Sequence, residues 1–77
     1  MTDKFNGLIE KVYVKFNDKA KRNSISIINN GGFYGLGLHN EKFVKVGDVV
    51  LKEGMQVEFE YSGQFKTIDM NTFKIVQ

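Results

Sequence analysis

The 77-residue sequence contains no cysteine, no proline and only one histidine. Without cysteine, the fold has neither a disulfide nor a thiolate metal site, and a Cys/His catalytic pair is excluded. The segment His39–Glu41 lacks metal-ligand spacing and a second imidazole. A Ser-His-Asp site would have to use His39, which has no nucleophile-elbow motif near it. We therefore expect no enzyme, no bound metal and no cofactor.

Two further motifs are too weak to indicate catalysis. Gly35 and Gly37 form a Gly-x-Gly, but Asn40 stands where a dinucleotide-binding motif has its third glycine, and no long helix follows. Glu58 and Glu60 are two residues apart, which is typical of a solvated strand face rather than an acid/base pair. No apolar run approaches 18 residues, and no signal-peptide pattern is present, so we expect a cytoplasmic protein.

Length and composition indicate one small globular domain spanning residues 1–77. Hydrophobic residues make up 42% of the chain, and seven Phe and three Tyr are adequate for one core. The formal net charge is only +2, but it is unevenly distributed. Residues 1–40 carry six basic and three acidic side chains, whereas residues 41–77 carry five and six. The first half is therefore expected to face an anionic partner.

A β-hairpin is predicted at the centre of the chain. Its strands are Ser24–Ile28 and Phe33–Leu38, and Asn30-Gly31 supplies the positive φ angles of a two-residue hairpin turn. Alternation places Tyr34, Leu36 and Leu38 of the second strand on the core side. Phe33, Gly35 and Gly37 are then on the opposite face. Glycines in a strand mark a bend, or a place where a ligand approaches the backbone, and both interpretations stay open.

Three more strands complete a predicted all-β fold of five strands. They cover residues 7–16, 56–61 and 64–76, with a bend near Gly7–Glu10 and a break or bulge at Asp69–Thr72. Residues 1–6 are polar and are expected to fray. Residues 39–52 predict an irregular connection or one short helix between the third and fourth strands. Short strands with Gly-rich turns favour a five-stranded barrel, closed or nearly so.

Aromatic and basic side chains alternate on the predicted strand faces, a pattern that suits single-stranded nucleic acid. Such proteins grip phosphates with a positive groove and stack unpaired bases on aromatic rings. The candidate binding residues are Lys11, Tyr13, Lys15, Lys21, Arg22, Ser24, Ser26, Phe33, Tyr34, Phe65 and Lys66.

Structural roles remain open for several of these candidates. Tyr13 could cap the barrel end, Tyr34 has the parity of a core residue, and Phe65 could plug the barrel bottom. The loop cluster of Lys19, Lys21 and Arg22 could be an ordinary solvated loop.

The order of these motifs resembles the small OB-fold single-stranded DNA-binding proteins of bacteriophages. The resemblance runs from about Gly7 to Val76 and depends on the Phe-Tyr-Gly-x-Gly segment at 33–37, Glu53–Tyr61, and Phe65–Ile68. It implies a five-stranded Greek-key barrel that binds single-stranded DNA without sequence preference during phage replication or recombination. In this family the position that corresponds to Phe33 is often occupied by Trp, whose ring stacks on a base. Tyr34, Phe65 and Lys66 match further positions of the family's pattern.

The resemblance implies single-stranded DNA as the partner, with replication or recombination proteins as further partners, in the host cytoplasm if the protein is phage-encoded. A weakly charged binder gains affinity by dimerising, so a homodimer is one expected form. Two alternatives remain open. One is a small protein-binding barrel, such as a phage-encoded inhibitor or assembly factor, because exposed Phe and Tyr also serve protein interfaces. The other is an RNA-binding barrel of the cold-shock kind.

Overall fold

The computed structural model describes residues 2–76 and is all-β, as the alternation of apolar and polar side chains predicts. Over these residues there are eight strands and no helix. The strands are β1 (Asp3–Leu8), β2 (Lys11–Asn17), β3 (Arg22–Asn29), β4 (Gly32–His39), β5 (Lys45–Val46), β6 (Val49–Val50), β7 (Gln56–Ser62) and β8 (Thr67–Ile75).

Six of the strands form one curled sheet, in the order β1-β7-β8-β4-β3-β2. Every neighbouring pair is antiparallel except β4 and β8, which are parallel at Gly35 and Thr67. This curled sheet is consistent with the predicted β-barrel. The predicted short helix between the third and fourth predicted strands is wrong. Residues 40–43 form bends instead, followed by the separate two-stranded sheet of β5 and β6, which turns at Gly47.

The two edge strands of the sheet, β1 and β2, are separated by only two residues. Ile9 donates its N–H to the Met55 carbonyl beside β7 at 2.8 Å, whereas Glu10 donates to the Ile28 carbonyl on β3 at 3.0 Å. The chain therefore changes pairing partner between Ile9 and Glu10, which confirms the predicted bend. The predicted fraying of residues 1–6 is wrong from Asp3 onward, because β1 pairs in register with β7. Met1 lies outside the described residues.

The predicted hairpin turn between β3 and β4 is confirmed. Asn30 and Gly31 both have positive φ, 51° and 79°, as a type I′ turn requires. The turn is also attached to the β1–β2 junction, because Asn30 donates its N–H to the Glu10 carboxylate at 2.7 Å. The side-chain amide of Asn29 donates to the Leu8 carbonyl at 2.6 Å. These bonds link the end of β1, at one edge of the sheet, to the β3–β4 hairpin near the other edge.

The core lies inside the curl and draws on every part of the chain. Its buried apolar residues are Ile9, Ile25, Ile27, Leu36, Val44, Leu51, Val57, Phe59, Ile68 and Phe73. Val57 and Phe59 are on the inward side of β7, as alternation predicts, and Glu58 and Glu60 are on its outward side. Phe59 stacks on Phe5 and Phe73 with centroid separations of 4.8 and 5.4 Å. Phe59 and Phe73 are thus buried in the core, and Phe5 packs against them while partly buried.

The predicted break in the last strand is a large bulge. Glu58 pairs with Lys74 and Glu60 with Asp69, so the bulged segment of β8 carries extra residues between these pairs. The Thr72 hydroxyl replaces the missing ladder partner by accepting the Glu60 N–H at 2.8 Å and donating to the Asp69 carbonyl at 2.7 Å. The bulge therefore leaves these backbone groups satisfied.

Candidate nucleic-acid interface

A β-bulge in β4 determines which side chains reach the outer side of the sheet. Ser26 pairs with Gly35, but Ile25 pairs with Gly37, so Leu36 is an extra residue. The bulge reverses the alternation after Leu36. Leu38 consequently lies opposite Ser24 and is 40% exposed. The prediction that Leu38 faces the core is therefore wrong, whereas Leu36 is buried as predicted.

Three residues support the chain at the bulge and just after it. Gly37 has a φ of 93°, in the left-handed region that favours glycine. The carbonyl of Leu36 accepts a hydrogen bond from the His39 ring, with Nε2 at 2.9 Å. The side-chain amide of Asn23, a buried polar residue, donates to two carbonyls of the following segment, each at 3.1 Å. The histidine thus has a structural partner.

The outer face, meaning the outward side of β2, β3 and β4, can be described from the strand register. Residues opposite each other on adjacent strands point to the same side of a sheet. One row is Lys11, Ile28 and Phe33, the next is Tyr13, Ser26 and Gly35, and the third is Lys15, Ser24 and Leu38. The parallel contact with β8 adds Thr67 beside Gly35. The structure therefore brings together six of the predicted binding residues: Lys11, Tyr13, Lys15, Ser24, Ser26 and Phe33.

Two aromatic rings stand in contact on the outer face. The Tyr13 and Phe33 centroids are 5.7 Å apart, and their planes meet at 89°. They belong to the strands on either side of β3, where Tyr13 pairs with Ser26 and Phe33 pairs with Ile28. Phe33 is 52% exposed and Tyr13 39% exposed, so both rings retain surface for a ligand. Neither ring is enclosed by the core.

The rows of the outer face are basic and contain no acidic residue. Lys11 and Lys15 are exposed on β2. Arg22, which pairs with Asn17 at the end of β3, is exposed and has the strand parity of Ser24. The outward side of β1, β7 and β8 differs, because its paired residues include two lysines and three carboxylates: Lys4, Lys74, Glu58, Glu60 and Asp69. Of these two outward surfaces, the outer face is the one whose charged side chains are all cations.

A shallow groove of about 330 Å³ lies over Gly35 on the outer face. Phe33, Leu38 and Phe65 provide its apolar walls, and the walls also include the hydroxyl-bearing residues Ser24, Ser26 and Thr67. Phe65 belongs to the turn between β7 and β8 and is 79% exposed, so it does not plug the barrel. The predicted residue Phe65 therefore joins the six on the outer face.

Tyr34 and Lys66 lie apart from this groove. The Tyr34 ring is half-buried and packs against Phe5, Phe59 and Tyr61, with centroids 4.9, 5.6 and 5.0 Å away. The Lys66 ammonium lies 5.1 Å from the centroid of the Tyr34 ring. These two predicted residues form a cation–π pair at the edge of the core rather than part of the outer face.

The basic loop between β2 and β3 is a tight turn at the end of the outer face. The side-chain carbonyl of Asn17 accepts the N–H groups of Lys19 and Ala20, both at 3.0 Å. Its backbone carbonyl accepts the N–H of Lys21 at 2.8 Å, and Lys21 has a φ of 58°. The side chains of Lys19, Lys21 and Arg22 are all exposed there. The turn therefore holds three cations and one carboxylate, Asp18, at the end of the outer face.

Sequence reasoning missed Leu38, Ile28 and Thr67 on this face. Leu38 could have been found only by interpreting Gly37 as a bulge, and Thr67 only by knowing the parallel pairing of β4 with β8.

No family model, curated protein or solved structure matches the chain. Within residues 2–76, no helical segment is long and apolar enough to cross a bilayer. The same residues contain no group of three His, Cys, Asp or Glu side chains that could hold a metal ion.

Proposed function

We propose that this chain is an OB-fold protein that binds single-stranded DNA without sequence preference. The fold assignment treats β1 and β2 as two halves of one long, bent strand, which reduces the six-stranded sheet to a five-stranded barrel. Its support is the two-residue junction at Ile9 and Glu10, with hydrogen bonds to both sheet edges, together with the parallel contact of β4 and β8. This Greek-key order is typical of the OB-fold.

The observation that carries the function is the exposed Tyr13–Phe33 pair on a face whose only charged side chains are cations. Unpaired bases offer their flat faces to aromatic rings, and each stacked base contributes about 1–3 kcal/mol. Lys11 and Lys15 flank Tyr13 at alternate positions of β2, so they are placed to contact phosphates on either side of a stacked base. Rings and cations interleaved in this way match both parts of a polynucleotide strand.

The same features favour a single strand over a duplex. In a duplex, the base faces are covered by their neighbours, so exposed rings have no base to stack on. Stacking is tolerant of base identity, since every base has a π-face, and this accounts for binding without sequence preference. A role in phage-type DNA replication or recombination follows from the family resemblance.

The test is a fluorescence-anisotropy titration of labelled oligo-dT of increasing length, at two or more salt concentrations. Each phosphate contact on a single strand contributes about −0.7 to the slope of log K against log salt. With Lys11, Lys15 and Arg22 engaged, we expect a slope of about −2 or steeper. Duplex DNA of matched length is the control. Binding to oligo-dT no tighter than to duplex at moderate salt would contradict the proposal.

The titration also distinguishes the two alternatives. A protein-binding barrel would bind oligo-dT weakly and would show little salt dependence with its own apolar partner. A matched oligo-U series tests an RNA-binding barrel, because the 2′-hydroxyl is the group that distinguishes RNA from DNA at a given site.

A further inference from the structure

The two glycines of β4 have different physical explanations. Gly37 is required by its left-handed φ of 93° at the bulge. Gly35 is not in that region, and it pairs in register with Ser26 and Thr67. A Cβ added at Gly35 would have its nearest neighbour, the Thr67 Cα, at 4.0 Å, which is ordinary contact. The strand therefore has both the conformation and the space for a side chain at position 35.

Glycine at this position is unfavourable for folding, because a glycine within a strand loses more conformational freedom than alanine does. Because Gly35 has no side chain, its backbone forms the floor of the groove. Phe33 lies in the row on one side and Leu38 in the row on the other, while Phe65 borders the same space. A side chain at Gly35 would point into this gap between apolar walls.

We infer that the Gly35 floor is a discrete subsite for one nucleobase, packed against the β4 backbone between Phe33 and Leu38. The inference rests on the proposed function and specifies one base contact within it. Apolar walls suit the faces of a base, and the hydroxyl-bearing residues Ser26 and Thr67 in the same groove suit its polar edge. Leu38 is available for this contact only because the bulge turns it outward.

None of the residues that line the groove is charged, so the contribution of a base there can be measured separately from that of the phosphates. Gly35→Ala places a methyl group in the subsite, and Gly35→Val fills more of it. Both variants keep the cations of the outer face, since Lys11 and Lys15 are on a different strand, β2. Two ligands are needed for the comparison: oligo-dT, and an oligomer of the same length whose nucleotides lack bases. Binding is measured by anisotropy at low salt, where the electrostatic contribution to both ligands is large.

We expect Gly35→Ala to weaken oligo-dT binding about tenfold, within the range for loss of one base contact, and Gly35→Val to weaken it further. Affinity for the baseless oligomer should stay within about twofold of wild type, since that ligand is held through its phosphates. The melting temperature of Gly35→Ala should rise by roughly 2–8 °C, because alanine restricts the unfolded chain.

Three results would overturn the subsite while leaving single-stranded DNA binding intact. The first is an unchanged affinity of Gly35→Ala for oligo-dT, and the second is an equal loss of affinity for both oligomers. The third is a melting temperature of Gly35→Ala below that of wild type, which would mean that Gly35 is needed for the curvature of the sheet. If the wild-type protein itself binds oligo-dT no better than duplex DNA, the proposed function fails, and the subsite fails with it.

Discussion

The rings of Tyr13 and Phe33 meet edge to face, with centroids 5.7 Å apart and planes at 89°. They come from β2 and β4, the two strands that flank β3, and lie in adjacent rows: Tyr13 pairs with Ser26, whereas Phe33 pairs with Ile28. Edge-to-face aromatic pairs contribute about 0.5–1.5 kcal/mol beyond the area they bury. Each ring therefore helps to hold the other in position on an exposed face, where a single ring would sample several rotamers.

The contact predicts that the two rings act together in binding. Tyr13→Ala and Phe33→Ala should each weaken oligo-dT binding by about 1–3 kcal/mol. The double variant should lose less than the sum of the two, by about 0.5–1.5 kcal/mol, because each single change also frees the partner ring. Anisotropy titrations of the four proteins at one salt concentration give this coupling energy. Losses that add within about 0.3 kcal/mol would show that the rings act independently.

Phe43→Ala is the matched control for this cycle. Phe43 is also a half-exposed phenylalanine, 42% exposed, but it borders a different depression together with His39, Val44 and Lys45. Its removal should leave oligo-dT affinity within about twofold of wild type, since it contributes neither a ring nor a charge to the outer face. A large loss in Phe43→Ala would place the binding surface elsewhere on the sheet.

The cations of the outer face should determine the salt dependence of binding. Lys11→Ala, Lys15→Ala and Arg22→Ala should each make the slope of log K against log salt less negative by about 0.7, the value for one phosphate contact on a single strand. Lys74→Ala is the control, because Lys74 pairs with Glu58 on the outward side of β7 and β8 and does not belong to the outer face. Equal slope changes in Lys74→Ala and Lys11→Ala would indicate a diffuse charge effect rather than a defined interface.

Local sequence patterns were sufficient to predict the hairpin and most strand faces. Alternation along β3 and β7 and the Asn30-Gly31 turn depend on neighbours in the chain, so they can be read from short segments. The β1 strand could not be predicted in this way. Residues 3–6 contain only one apolar side chain, Phe5, and the segment is held by pairing with β7, more than 50 positions away. The short strands β5 and β6 likewise form where an irregular or helical connection was expected.

The candidate site was predictable to the same extent. Residues before the bulge, such as Tyr13, Ser26 and Phe33, keep the alternation of their strands and lie together on the outer face. Leu38 follows the bulge, so simple alternation assigns it to the wrong side. The position of Lys66 depends on a positive φ of 50° at the end of a turn, and no side-chain pattern encodes it. Register shifts and turn geometry are the features that cannot be predicted from the alternation of side chains along one β-strand.

The bulge itself predicts that Gly37 is essential for stability. With a φ of 93°, any L-residue at this position is strained, and left-handed backbone costs a non-glycine residue roughly 1–2 kcal/mol. Gly37→Ala should therefore lower the free energy of unfolding by at least that amount in urea titrations. Leu38→Ala is the neighbouring control and should change stability little, because Leu38 is exposed. A Gly37→Ala variant as stable as wild type would contradict the left-handed bulge.

The stacked aromatic core predicts the largest loss of stability. Phe59 is 2% exposed and lies between Phe5 and Phe73, with its ring nearly parallel to that of Phe73 at an interplanar angle of 3°. Phe59→Ala should cost about 3–5 kcal/mol, through lost burial and the cavity that remains. For a chain of this length, whose total stability is of order 4–12 kcal/mol, that loss removes roughly a quarter or more of the stability and lowers the denaturant midpoint of unfolding accordingly. Phe65→Ala removes the same ring from a 79% exposed site, so its unfolding midpoint should match wild type while its oligo-dT affinity falls. Equal stability losses in the two variants would contradict the separation of core from outer face on which the binding surface depends.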